Sequence, residues 1–163
     1  MNVIGFDLVW FGLVYFGNAF IPIAIAMLIA HIYFISNKLS REVKLIFIVA
    51  TVGCLVDWVL HLVGVFDFVG TDYLPAWLVT LWLCFAATLY HSLVILKHSK
   101  ILQFLVGALL APFSYLAGHE LEAVSFGFPI FDTYFLLSVI WAILMIFFFQ
   151  FMSYLDKEEL SYE

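Results

Sequence analysis

The chain has 163 residues, 66% of them hydrophobic, 20% aromatic and 11% charged, with a mean hydropathy of +1.15. That composition excludes a soluble domain and points to an integral membrane protein. With six Lys and Arg against twelve Asp and Glu, a formal net charge of −6, no basic surface for nucleic acid can form.

A membrane crossing needs about 20 apolar residues for a hydrocarbon core of roughly 30 Å. Apolar runs lie at 3–34, 43–66, 76–96, 101–118 and 132–154. Met1 to Asp7 has no Lys or Arg, and no small-residue cleavage site closes the first run, so the first segment is expected to stay in the mature protein. That run is too long for one upright helix. Gly17-Asn18 followed by Pro22 reads as a helix stop and a fresh start, which predicts a hairpin of 3–16 and 19–36. The expected fold is therefore all-α, a polytopic helix bundle with six transmembrane helices at 3–16, 19–36, 43–66, 76–96, 101–118 and 132–154. The alternative is five, with one long kinked first helix. The bundle occupies 1–155 as a single domain, and 156–163 form an acidic tail.

Lys38, Arg41 and Lys44 crowd one connection, Lys97 and Lys100 another, and Lys157 follows the last run. The remaining connections carry no Lys or Arg. Basic residues on alternate connections are expected to place those loops and both termini on the cytoplasmic side of the membrane.

Within the runs, Gly53, Asp57, His61 and Gly64 share one helical face, as do Gly107, Ala111, Ser114 and Gly118. Cys84, Thr88, His91 and Ser92 form a third stripe. Small and polar residues are expected to face neighbouring helices, since packing and interhelical hydrogen bonds hold bundles together in lipid. Counting about 1.5 Å per residue, Asp57, Cys84, Ser114, Tyr115 and Trp141 fall in one layer, and His31 and His91 in another nearer the basic end. Trp82 should find an acceptor inside the bundle, Asp57 or a backbone carbonyl. The predicted pocket-lining set is His31, Asp57, His61, Trp82, Cys84, Thr88, His91, Ser92, Ser114, Tyr115 and Trp141.

Asp57 is costly in a span, which marks it for function or for locking helices together. His91 can act as a neutral clamp or as a proton carrier. These two are the candidate catalytic groups. Metal is not expected: the histidines are spread in depth and no HExxH pair exists. Cys54 and Cys84 have no CxxC spacing, Ser114 lacks a nucleophile elbow, and no cofactor motif occurs.

The stretches "GCLVDWVLHLVGVFDF", "PAWLVTLWLCFAATLYHSL" and "GALLAPFSYLAG" together resemble an uncharacterised bacterial inner-membrane family, domain of unknown function 2878, over nearly the whole length. The resemblance covers Asp57; Pro75, Trp77 and Trp82; Phe85, Thr88 and His91; and Pro112, Tyr115 and Gly118. His61, His119 and Glu120 lie outside it. "GNAFIP" is similar to a turn at the second span of that family, and the resemblance implies an association with membrane-lipid modification. The first functional reading is an accessory or scaffold subunit with a membrane-protein partner. The alternatives are a binding or transport module holding a lipid or small apolar ligand in an internal polar pocket, and an intramembrane enzyme using Asp57 or His91 as acid or base.

Overall fold

The computed structural model describes residues 3–36, 38–68 and 70–160, apart from the side chains of 159 and 160. Helices α1 (Val3–Phe16) and α2 (Ile21–Ile35) are joined by a single tight turn, Gly17–Phe20. Gly17 has φ +57°, a conformation that only glycine adopts without strain, and Pro22 sits in the first turn of α2. The Phe20 ring lies over Gly12, which a continuous helix would hold about 12 Å away along its axis. The chain therefore folds back on itself. Both arms lie along α4 (Ala76–Ala86): Phe6 meets Phe85, Asn18 Oδ1 accepts from Trp77 N, and Cys84 approaches the Ala24 carbonyl.

Helix α3 runs from Leu39 to Leu62, earlier at both ends than the apolar run 43–66. Its charged first turns extend beyond the apolar stretch, and Gly64 at φ +77° stops it. Gly64 N donates to His61 O and Val65 N to Leu60 O, a Schellman ending. The strand β1 (Phe66–Asp67) follows and pairs antiparallel with β2 (Ser125–Phe126).

Helix α4 differs most from expectation. Its regular part has 11 residues, about 16 Å of rise, and stops at Ala86 rather than near 96. Thr88 Oγ1 donates to Phe85 O, and the backbone bonds of Thr88, Leu89 and His91 reach back three residues. The descent is completed by these tight turns and a 3-10 segment, Val94–His98. Helices α5 (Lys100–Leu105) and α6 (Ala111–Glu120) are joined by a π-helical turn, Val106–Leu110. Pro112 follows that turn; it has no N–H to donate to Ala108 and its ring would crowd that carbonyl in a regular helix. Gly107 in the turn touches the Trp141 carbonyl of α7 (Ile130–Leu160), so the two backbones approach directly. The start of the expected tail at 156 continues α7, and 161–163 lie outside the described residues.

Leu39–Leu62, Lys100–Glu120 and Ile130–Glu158 are each long and apolar enough to cross a membrane, and so is the total length of Val3–Ile35, which the turn at Gly17–Phe20 divides into two shorter arms. Phe34, Phe47, Ile101 and Phe131 are among the large apolar side chains left exposed on the outside of the bundle, as lipid contact requires. At the basic end, Asp156 of α7 accepts from Arg41 at 2.9 Å, Lys97 at 2.6 Å and Tyr90 at 3.1 Å. This clasp ties α3, the 3-10 segment and α7 together.

Candidate functional site

Asp57 is completely buried in the C-terminal third of α3. Its Oδ2 accepts from Trp82 Nε1 at 2.7 Å and its Oδ1 from Tyr115 OH at 2.9 Å. One carboxyl group thus joins α3, α4 and α6 through two hydrogen bonds. The local cause is Gly53, one helical turn away: a Cβ there would fall 2.2 Å from the Trp82 ring. Glycine lets the indole lie flat on α3 and reach the carboxylate.

The Trp82 ring stacks on Trp141 at 5.1 Å and 7°, and Phe85 stands edge-on to both. Tyr115 stacks on Phe66, which carries the layer up to the β1–β2 pair. These aromatic groups form the back wall of a cavity of about 360 Å³, within the ~300–1,000 Å³ typical of small-molecule sites. Phe6 and Trp10 of α1 form one side, Ala111 and Ser114 of α6 the other, and Met145 of α7 completes the wall. Phe66, Phe68 and Val124, all buried, close one end. Towards the basic end the lining turns polar, with Asp7, Thr88 and Ser92. Exposed Val3 and Leu110 also border the cavity, so its mouth opens on the apolar flank of the bundle.

Of the residues singled out from the sequence, Trp82, Thr88, Ser92, Ser114, Tyr115 and Trp141 line this cavity. Asp57 lies behind it, in contact through Trp82 and Tyr115. Cys84 is buried against α2, with its thiol 4.0 Å from the Ala24 carbonyl. His61 sits at the far end, where its ring nitrogens face the carbonyls of Phe66 and Asp72. His119 repeats that arrangement with Val124 O, below a second Schellman ending in which Ala123 N donates to Gly118 O. These two histidines pin the loop corners.

His91 Nε2 lies 3.3 Å from Glu42 Oε2, and the His31 ring meets the His91 ring edge-on at 4.4 Å. Thr88 and Ser92 line the cavity, and His91 does not; its ring contacts are with α2 and α3. Sequence reasoning missed Asp7, Trp10, Phe66 and Glu42. Asp7 carried a signal, a lone acid in an apolar run, whereas Glu42 lay unremarked in the charged stretch "SREVK".

A family model described as "Protein of unknown function (DUF2878)" matches residues 1–147. No curated protein and no solved structure matches the chain.

Proposed function

Because the chain belongs to the DUF2878 family, whose function is unknown, its role must be read from geometry, and we propose that it is an intramembrane binding protein for an amphipathic lipid or similar apolar molecule. The observation that carries this reading is the aromatic cavity of about 360 Å³, closed by loops at one end and reachable from the flank. A scaffold needs only helix contacts and leaves such a cavity without a task. Trp10, Trp82, Phe85 and Trp141 offer ring faces to an apolar body, at low entropic cost because each ring has only two side-chain torsions. Asp7, Thr88 and Ser92 offer acceptors and hydroxyls to a head group that donates hydrogen bonds. Asp57 stands behind the wall and sets its shape by holding Trp82 and Tyr115.

The proposed topology has six crossings with both termini in the cytoplasm of a bacterial inner membrane. Helices α1 and α2 cross as a hairpin of 14 and 15 residues, about 21–22 Å each, which suits a locally thinned bilayer. Such thinning beside α1 would bring lipid head groups to the level of Asp7. In a variant without Cys54 and Cys84, a cysteine at the exposed position 72 should label from outside, and one at the exposed position 40 only from inside. Reversed labelling contradicts the orientation.

The binding reading is tested by native mass spectrometry of the protein extracted in mild detergent. The expected result is a retained lipid that disappears in Ser114→Trp, where the indole fills the cavity, and remains in Val59→Trp at an exposed position of α3. Equal lipid retention by all three proteins contradicts it.

A further inference from the structure

Behind the turn that bears Thr88 and Ser92, three donor side chains from three separate segments converge: His31 of α2, Glu42 of α3 and His91 of the 87–93 turn. Each offers one ligand atom, and the three atoms lie within 4.8 Å of one another. His31 and Glu42 are each only 5% exposed. We propose that His31, Glu42 and His91 form a binding site for a divalent first-row transition ion, with zinc(II) as its reference ion.

Three observations converge on this site. Two imidazoles and one carboxylate are a donor set used by catalytic zinc and non-haem iron centres, which leave further positions open. The spacing fits: ligands about 2.1 Å from a tetrahedral ion lie roughly 3.4 Å from one another, and Glu42 and His91 already stand 3.3 Å apart. Closing the remaining gap requires His31 to move by less than about 1.5 Å, within the reach of small χ adjustments. The location is also set by the end of regular helix at Ala86. The tight turns present His91 to α2 and α3 while Thr88 and Ser92 line the cavity. An ion here would cross-link α2, α3 and the descending arm of α4, and would fix the polar end of the cavity from behind.

The experiment uses the full chain in mild detergent, loaded with zinc(II), freed of excess ion and analysed by inductively coupled plasma mass spectrometry. The expected result is about one zinc ion per chain. Affinity should fall at least tenfold in His31→Gln and in Glu42→Gln, and stay unchanged in His61→Gln and His119→Gln, whose rings lie at the far end. Zinc should also raise the thermal midpoint of the wild-type protein. If the site variants do not fold, zinc X-ray absorption on the wild-type protein decides: two imidazoles and oxygen donors support the site, and fewer than two imidazoles overturn it. Absence of stoichiometric zinc in the wild-type protein, or equal affinity in the folded site variants, overturns the proposal and leaves the trio as a packed, hydrogen-bonded cluster.

Discussion

The Asp57 layer and the His31–Glu42–His91 cluster solve one problem, a polar group inside an apolar bundle, in two ways. Asp57 is saturated: each oxygen has a dedicated donor, Trp82 or Tyr115, and the surrounding rings lock both donors in place. The cluster brings together ligand atoms that share one small space, with His91 in contact with both Glu42 and the His31 ring. The difference teaches that burial alone does not mark a reactive site. A fully bonded carboxylate acts as a structural pin, while converging donors with similar demands invite a further occupant.

Substitutions can break or sharpen that contrast, read as unfolding free energy in detergent. Asp57→Ala should have the largest effect, about 2–4 kcal/mol, because it leaves two buried donors unpaired and opens a void. A loss below about 0.5 kcal/mol would mean that Asp57 is not the pin. Gly53→Ala should cost about 1–3 kcal/mol by overpacking against Trp82, and the displaced indole should report itself by altered tryptophan fluorescence. Unchanged stability together with unchanged emission would contradict the close contact. Asp156→Asn, which weakens the clasp at the basic end, should cost about 1 kcal/mol, since its partners are mostly shielded from solvent. Lys44→Gln removes an exposed pair whose atoms stand 3.9 Å apart, so it should change stability by less than about 0.3 kcal/mol; a larger loss would assign that end a role the geometry does not give it.

Much of the Asp57 layer was legible in the sequence because helical periodicity carries it. Gly53 and Asp57 are four residues apart, and Trp82 and Tyr115 fall at similar depth on their own runs. The hairpin was legible for the same local reason, since Gly17 and Pro22 each force a particular backbone geometry. The break in α4 was not. Ala86, Ala87 and Thr88 contain no glycine or proline, and the change to tighter turns depends on Thr88 bonding back to Phe85 and on packing around His91. Glu42 escaped because a carboxylate beside Arg41 and Lys44 looks like one more solvated loop charge, and only the early start of α3 at Leu39 buries it. His61 and His119 attracted attention as polar residues near spans, yet both serve Schellman corners, which five-residue spacing to a carbonyl cannot reveal without the fold.

The central claim is that the aromatic cavity receives a lipid from the flank of the bundle. It is tested most directly by reconstituting the protein with a photoactivatable acyl lipid and mapping the adducts by peptide mass spectrometry. Adducts concentrated on cavity residues such as Leu81 and Met145, and suppressed in Ser114→Trp, are the predicted result. Adducts no more frequent there than on the exposed α3 residues Val59 and Leu62, with no response to Ser114→Trp, would contradict it.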